Sequence, residues 1–473
     1  MITLRVVFEA LINKSPDWVK GIITDAVVDS RRAIPGSLFI AIPGENVNGH
    51  DFVGDAFLRG ACFALIQEDL SCMHPVLDLR SGFTSTLEQE IETPFCILVE
   101  NTVQALQVVA EYWRNQLDIR VIGITGSVGK TTTKELASSV LKQRYRTLKS
   151  SGNMNNEIGL PLTLWQMSEG HTRAILEMGF YVPGEIKFLC DLAKPSVGVV
   201  TNIGTVHAER AGSQETIAQG KSELIQSLPP APDGVAILNY DDPLVRKMAE
   251  NTKARVFFYG LDPEADLWAD SIEGLGLDGI RFRLHYKGET IYMRVPLLGR
   301  HSVHTALRAT AIGLIEGLTW HEIVKGLRSG HMQLRLVAVR AQSGAFLLDD
   351  TYNASPQSML AALNLLEEMD GRKIAVLGDM LELGQYEQKG HEKVGIRAAS
   401  VVDVLITIGE LGKIMAKAAA WTGLPKEKII TLKDSEAAIE FLREYLHKED
   451  VVLVKGSRGM CMDRIVAALE RRS

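Results

Sequence analysis

The chain has little that would tie it to a membrane, a nucleic acid or an oxidising compartment. Its five cysteines (Cys62, Cys72, Cys96, Cys190 and Cys461) are odd in number, widely scattered and form no C-x-x-C pair. That excludes a disulfide framework and a zinc knuckle, and suits small buried hydrophobes in a reducing compartment. No uninterrupted apolar run approaches membrane-spanning length. The opening residues, Met1 to Ala10, lack a basic region followed by an apolar stretch, which predicts no signal peptide and a cytoplasmic protein. A basic excess is also missing: 58 acidic against 51 basic residues leave a formal charge of −7, which argues against a nucleic-acid or membrane surface. What is present is ordinary globular material, 46% hydrophobic and 23% charged over 473 residues. That length allows about three domains.

Against this background one stretch stands out, Val121-Ile-Gly-Ile-Thr-Gly-Ser-Val-Gly-Lys-Thr-Thr-Thr-Lys134. A short apolar strand (Val121 to Thr125) runs into the turn Gly126-Ser127-Val128-Gly129. Lys130, Thr131 and Thr132 follow, and a helix-compatible run begins at Lys134. Strand, glycine turn and helix in that order build a phosphate cradle, because backbone N–H groups and the helix dipole favour an anion there. The lysine adds a charge on the outer phosphates, and the Thr131 hydroxyl is suited to Mg²⁺. The general pattern would place its first glycine at Ile124; Gly123 and Gly126 flank it instead, which marks a narrower class of loop. The competing reading is a chance glycine turn before a helix. Strand, Lys-Thr and helix in one register weigh against it and predict a user of ATP or GTP. The Asn-Lys-x-Asp segment by which P-loop GTPases read guanine is absent.

The rest of the chain reads as α/β. Residues 1–100 predict a small mixed α/β domain, with a turn and strand over Asp29 to Ile42, a helix over Asp51 to Leu58 and a strand at Ala64 to Ile66. Residues 67–95 read as irregular. Residues 101–329 predict a central domain with a parallel sheet, its strands at Arg173 to Glu177, Val197 to Thr201 and Val235 to Leu238. The strict alternation from Ile280 to Val295 adds an antiparallel hairpin. Residues 330–473 predict a doubly wound, Rossmann-like domain with strands at Phe346, Ile374, Val404, Ile429 and Val451, and a helix capped by Ser355 with proline in its first turn.

Acidic residues at strand ends are the first candidates for a cation beside phosphates: Glu177, and Asp349 with Asp350. Each could equally be a solvated turn residue. His207 could hold a cation or sit in a loop. Lys221 reads as a plain surface-helix lysine, and Arg335 and Lys455 look ordinary.

The loop Thr125-Gly-Ser-Val-Gly-Lys-Thr-Thr132 closely resembles that of the Mur ligases, ATP-dependent amide-forming enzymes of peptidoglycan precursor synthesis. Gly152-Asn-Met-Asn-Asn-Glu-Ile-Gly-Leu-Pro161, Leu348-Asp-Asp-Thr-Tyr-Asn-Ala-Ser-Pro356, Val376-Leu-Gly-Asp-Met-Leu-Glu-Leu-Gly384 and Val452-Leu-Val-Lys-Gly-Ser-Arg458 resemble the type that adds D-alanyl-D-alanine. With Asp29-Ser-Arg31 and Gly49-His-Asp-Phe52 the resemblance spans nearly the whole chain. It implies an N-terminal domain for the UDP end of the substrate, a central ATPase domain and a C-terminal Rossmann-like domain. It implies ATP and Mg²⁺ as cofactors, with UDP-MurNAc-tripeptide and D-alanyl-D-alanine as partners, and a monomer. It gives Lys130 and Thr131 phosphate and Mg²⁺, makes Glu177 and His207 metal ligands, and makes Lys221 the carrier of a carbamate that bridges to a second Mg²⁺. Arg335 and Asp350 would reach the nucleotide, Asp29, Ser30 and Arg31 the uridine end, and Asn353 the substrate. There is one departure. After Arg300-His301 the family usually continues Asn-Val-x-Asn, with asparagines serving adenine, whereas here Ser302-Val-His-Thr305 stands. A hydroxyl lacks the two-sided amide pattern, which predicts altered base contacts and a looser nucleotide preference.

Overall fold

The computed structural model describes all residues except 1, 17, 45, 81–90, 206–207, 330–336 and 471–473. It divides into two compact units. The first comprises Met1–Gly123, Tyr145–Gly179 and Glu185–Ser196; the second comprises Ile124–Arg144, Phe180–Gly184 and Val197–Ser473. Among the described residues no helix is long and apolar enough to cross a membrane.

The N-terminal part of the first unit is a parallel sheet of β1 (Ala26–Val27), β2 (Leu38–Ile40), β3 (Phe63–Ile66), β4 (Val76–Asp78) and β5 (Phe95–Leu98). Their order is β1-β2-β3-β5-β4. Strands β2, β3 and β5 are buried at every position, the mark of a parallel sheet covered on both faces. Helices α1 (Leu4–Ile12), α2 (Val53–Leu58) and α3 (Thr102–Asn115) belong here. The helix at α1 went unpredicted, although Leu4, Val7 and Phe8 form a buried apolar stripe at helical spacing. The stretch read as irregular contains β4 and ends where β5 begins, at Phe95; part of it, 81–90, lies outside the described residues. His50 pins the end of β3 in place. Its Nε2 accepts the backbone N–H of Gln67 (3.0 Å), and its Nδ1 bonds the Asn48 side chain (2.8 Å).

Strand β6 (Arg120–Thr125) carries the chain from the first unit into the second, where α4 (Lys130–Leu141) follows. The chain returns to the first unit for β7 (Thr147–Lys149), α5 (Gly159–Trp165), β8 (Arg173–Glu177) and α6 (Glu185–Ala193). In the second unit β9 (Val197–Val200), α7 (Ala208–Ala211), α8 (Gln214–Gln226), β10 (Val235–Asn239), α9 (Pro243–Lys247), β11 (Arg255–Gly260) and β12 (Leu267–Gly274) come next. Parallel pairing joins β9 to β10 and β10 to β11, as the alternation of strand and helix predicts. Strands β13 (Ile280–Tyr286) and β14 (Glu289–Val295) are the expected antiparallel hairpin, with Phe282 opposite Met293 and Leu284 opposite Ile291. Helices α10 (Val303–Ile315) and α11 (Trp320–Ser329) follow.

The remainder of the second unit is a six-stranded sheet of β15 (Val337–Arg340), β16 (Phe346–Asp349), β17 (Arg372–Gly378), β18 (Val404–Ile408), β19 (Ile429–Leu432) and β20 (Asp450–Lys455). The order is β15-β16-β20-β17-β18-β19, parallel apart from β15. Alternate residues feed two cores, as a period of two requires. Leu348, Ala375, Leu377, Leu405 and Leu453 meet α12 (Pro356–Glu367), α13 (Glu387–Val401) and α14 (Gly412–Trp421). Leu347, Ile374, Val376, Ile406 and Val452 face α15 (Ser435–Tyr445) and α16 (Asp463–Leu469). The expected cap of α12 is a full capping box: Ser358 N–H donates to Ser355 Oγ (3.2 Å) and Ser355 N–H donates to Ser358 Oγ (2.9 Å).

Candidate nucleotide site

The glycine turn has the shape that its residues dictate. Gly126 has φ +136°, and a Cβ there would lie 1.8 Å from Thr201 Oγ1. Gly129 has φ +86° and directs the chain into α4, which begins at Lys130, four residues earlier than its apolar spacing predicts. Lys-Thr-Thr-Thr carries no apolar period, so only the backbone reveals that first turn. The segment after β9 braces the loop. Thr201 Oγ1 donates to Val128 O (2.7 Å), and Gly204 N–H donates to Ser127 Oγ (2.8 Å). Asn202 accepts the N–H of Ser127 on its backbone oxygen (2.9 Å) and that of Val128 on Oδ1 (2.9 Å). This corrects one expectation: two of the turn's amides serve Asn202, so an anion must rely on donors nearer the helix start. Lys130 Nζ donates to Gly126 O (2.7 Å), folded back over the loop.

The loop forms one wall of a cavity of about 200 Å³, together with Leu298, His301, Ser302 and Thr305. The other wall comes from the C-terminal part of the same unit: Asp350, Asn353, Lys455 and the α12 residues Ser358, Ala361 and Leu365. Lys455 is no ordinary lysine. It is 2% exposed, pairs with Asp350 Oδ2 at 2.7 Å and donates to Asn353 O at 2.9 Å. A lysine is almost never that buried unless paired, and its place at the end of β20 was the only sequence signal. Ser302 Oγ donates to Leu298 O (2.6 Å), while Thr305 Oγ1 accepts from Arg308 Nη2 (2.9 Å). The two hydroxyls that replace the family asparagines are thus held by the protein itself. His301 lies open to the cleft yet crowded by protein. That crowding pushes its pKa down to about 4, with the charges of His304, Lys455 and Arg308 adding to the effect.

Two other predicted residues are far from ordinary surface positions. Glu177, at the end of β8, is 1% exposed, which overturns the solvated-turn reading. Asn155, from the Gly152-to-Pro161 segment, donates to its carboxylate at 3.0 Å. Lys221 on α8 is 2% exposed, not a surface lysine, and its ammonium sits 4.8 Å from the centre of the Phe180 ring. Gly220 beside it lets that ring approach, since a Cβ there would fall 2.0 Å from Phe180. Asp29, Ser30 and Arg31 are locally bound. Asp29 caps its own turn and grips Arg31 at 2.8 and 2.9 Å, which holds its carboxyl at about 2, and Ser30 Oγ donates to Asp55 at 2.8 Å. His207 and Arg335 lie outside the described residues. Among the described residues no group of three or more His, Cys, Asp or Glu stands together as a metal cluster.

The Gly378-Asp-Met-Leu-Glu-Leu-Gly384 segment is a joint within the second unit. Asp379 accepts the N–H of Gly412 (2.7 Å), Met380 N–H donates to His391 Nε2 (3.0 Å), and Gln385 reaches Gly212 O (2.9 Å) beyond α7. With Glu209 N–H donating to Glu382 O (3.4 Å), the segment and the residue after it join the C-terminal sheet to the helices after β9.

Comparison with known proteins agrees with this geometry. Residues 124–313 match the Mur ligase middle domain, and residues 334–458 match the Mur ligase, glutamate ligase domain. A UDP-N-acetylmuramoyl-tripeptide--D-alanyl-D-alanine ligase of Bacillus subtilis is 36% identical over 96% of this chain and 95% of its own. The enzyme of that name from Escherichia coli is 32% identical over 95% and 94%. The crystal structure of MurF from Acinetobacter baumannii superposes with a TM-score of 0.81 at 30% identity, covering 98% of each chain. That of MurF ligase from Thermotoga maritima in complex with ADP does so at 0.76 and 27%, covering 94% and 96%. With both domain models matched and relatives of one kind aligned along nearly its full length, the chain belongs to the Mur ligase family, among the UDP-N-acetylmuramoyl-tripeptide--D-alanyl-D-alanine ligases.

Proposed function

We infer that this protein uses ATP to join D-alanyl-D-alanine to UDP-MurNAc-tripeptide, giving the pentapeptide precursor of peptidoglycan. The observation that carries the reading is the cavity itself, with a P-loop on one wall and Asp350, Asn353 and Lys455 on the other. A carboxylate is a poor acylating agent, so it must first take the γ-phosphate of ATP. The substrate carboxylate attacks phosphorus and ADP leaves; the free amine of D-alanyl-D-alanine then attacks the acyl carbon and phosphate leaves. In this scheme Lys130 neutralises the outer phosphates, with Gly126 to Thr132 shaping their cradle. Asp350 and Lys455, one charged pair, position the nucleotide, and Arg335 assists them. Asn353 faces the substrate. Asp29, Ser30 and Arg31 serve the uridine end.

Mg²⁺ is the cation proposed for this reaction, since the Thr131 hydroxyl and the Glu177 carboxylate are each an oxygen donor of the kind that a hard cation takes. His207 completes the proposed set. When bound, Mg²⁺ shields phosphate charge. Lys221 is proposed as the carbamate carrier. Phosphate release from ATP tests the whole scheme. It should require both UDP-MurNAc-tripeptide and D-alanyl-D-alanine. Equal release with diaminopimelate or lysine in place of the dipeptide would overturn the assignment.

A further inference from the structure

A buried cation sits behind the phosphate loop and has no place in the scheme above. Arg308, on α10, is 4% exposed. Its three hydrogen-bond partners are all hydroxyls: Nε donates to Thr133 Oγ1 (2.7 Å), Nη2 to Thr305 Oγ1 (2.9 Å) and Nη1 to Tyr259 Oη (3.3 Å). Among the described residues no carboxylate pairs with it. Neutral hydroxyls solvate a guanidinium without cancelling its charge, and arginine stays protonated in a protein interior. A buried charge of this kind is costly unless an opposite charge arrives.

Its position says where that opposite charge would arrive. Nη2 lies 2.9 Å from the point a Cβ on Gly129 would occupy, so the guanidinium packs against the last residue of the loop. Through Thr133 it touches the first turn of α4. Through Tyr259 it reaches the other end of the loop. That phenol, itself fully buried, donates to Thr201 O (3.1 Å), and Thr201 N–H in turn donates to Thr125 O (3.0 Å), just before Gly126. Through Thr305 it touches the cavity lining. One side chain thus braces both ends of the phosphate loop and leaves a positive field behind it.

We propose that Arg308 is a positioning residue for the nucleotide: it fixes the Gly126–Thr133 turn from behind and carries a charge that the bound phosphates neutralise. The proposal rests on the ATP reading given above and adds to it a residue outside the loop motif. An anion drawn to this field gains affinity, and an interaction present equally in ground and transition states moves KM more than kcat.

The test compares Arg308→Met, Arg308→Lys and Tyr259→Phe with the intact enzyme, measuring KM for ATP, kcat, and the rise in melting temperature caused by ADP. Arg308→Met should raise KM for ATP about tenfold and shrink the ADP-induced rise, with kcat within about threefold. Its melting temperature without nucleotide should hold or increase, because an uncompensated charge has gone. Arg308→Lys should recover part of the affinity. Tyr259→Phe keeps the charge and cuts the link to Thr201, and should raise KM by about threefold. An Arg308→Met enzyme that melts lower but keeps a normal KM and a normal ADP response would overturn the proposal, leaving a structural role alone. So would a lysine variant no better than the methionine one, or, if Arg308→Met does not fold, a Tyr259→Phe enzyme with unchanged KM. Failure of the intact enzyme to respond to ADP would overturn the ATP reading itself, and the proposal with it.

Discussion

Replacing Gly126 with alanine would put a methyl carbon 1.8 Å from Thr201 Oγ1 and 2.9 Å from Thr201 Cβ. Ordinary contact needs about twice the first distance, so something must move. Thr201 is poorly placed to yield: its N–H donates to Thr125 O (3.0 Å), and its carbonyl accepts from Asn239 Nδ2 (3.1 Å) and Tyr259 Oη (3.1 Å). The loop must therefore shift, and the Thr201-to-Val128 bond is lost with it. A backbone with φ +136° adds its own penalty for any residue with a side chain. Overpacking, one broken hydrogen bond and the backbone strain together predict a loss of roughly 3–7 kcal/mol. Thermal melting with and without ADP reads both consequences. The variant should melt lower by roughly 5 °C or more and lose most of its ADP-induced rise. Thr201→Gly in the same chain removes both close atoms and should restore part of the ADP response. A Gly126→Ala protein that melts and binds ADP like the original would refute the reasoning, because it would show that the loop does not lie where Thr201 confines it.

Lys130→Ala should abolish ATP turnover with melting little changed, since the side chain's bond to Gly126 O is part-exposed; normal turnover would remove the P-loop from the mechanism. Lys221→Ala should be nearly inactive and partly restored by short carboxylic acids, and full activity without any addition would exclude Lys221 from the site. Lys455→Met removes the buried cation from its pair with Asp350, which keeps 17% of its side chain exposed, so the loss of stability should be about 1–3 kcal/mol, less than for a fully buried pair, with a raised KM for ATP. Unchanged stability and KM would show the pair to be idle. Burial holds the His50 imidazole below its ordinary 6.5, and its Nε2 accepts the Gln67 N–H. Because the folded pKa lies below the unfolded one, the stabilisation is full above about 6.5 and is lost as pH falls below that value. The protection factors of the Gln67 and Glu68 amides, corrected for the intrinsic pH dependence of exchange, should fall as pH drops below about 6.5; a flat profile would count against a neutral His50.

Much of this molecule is legible from local pattern alone. The strand from Val121 to Thr125, the glycines at 126 and 129 and the Lys-Thr pair specify a phosphate loop because backbone geometry there admits few alternatives. Alternation at two-residue spacing announces the β13–β14 hairpin, and the Ser355-Pro356 start announces α12. Distant segments from Asp29 to Arg458 carry a family resemblance that points to the chemistry.

Tertiary structure alone decided which charges are exceptional. Glu177, Lys221, Lys455 and Arg308 look in sequence like any carboxylate or cation on an amphipathic element, and each proves to be nearly inaccessible. Periodicity assigns a residue to a face of its own helix or strand, but burial depends on what packs against that face, and those partners come from far along the chain: Phe180 for Lys221, Asp350 for Lys455, Thr133 and Tyr259 for Arg308. The same holds for Thr201 and Asn202, whose grip on the loop joins residues more than 70 positions apart. Sequence determined the glycine loop proposed to hold phosphates, because its backbone geometry is written locally; the packing of distant elements determined which side chains stand behind that loop.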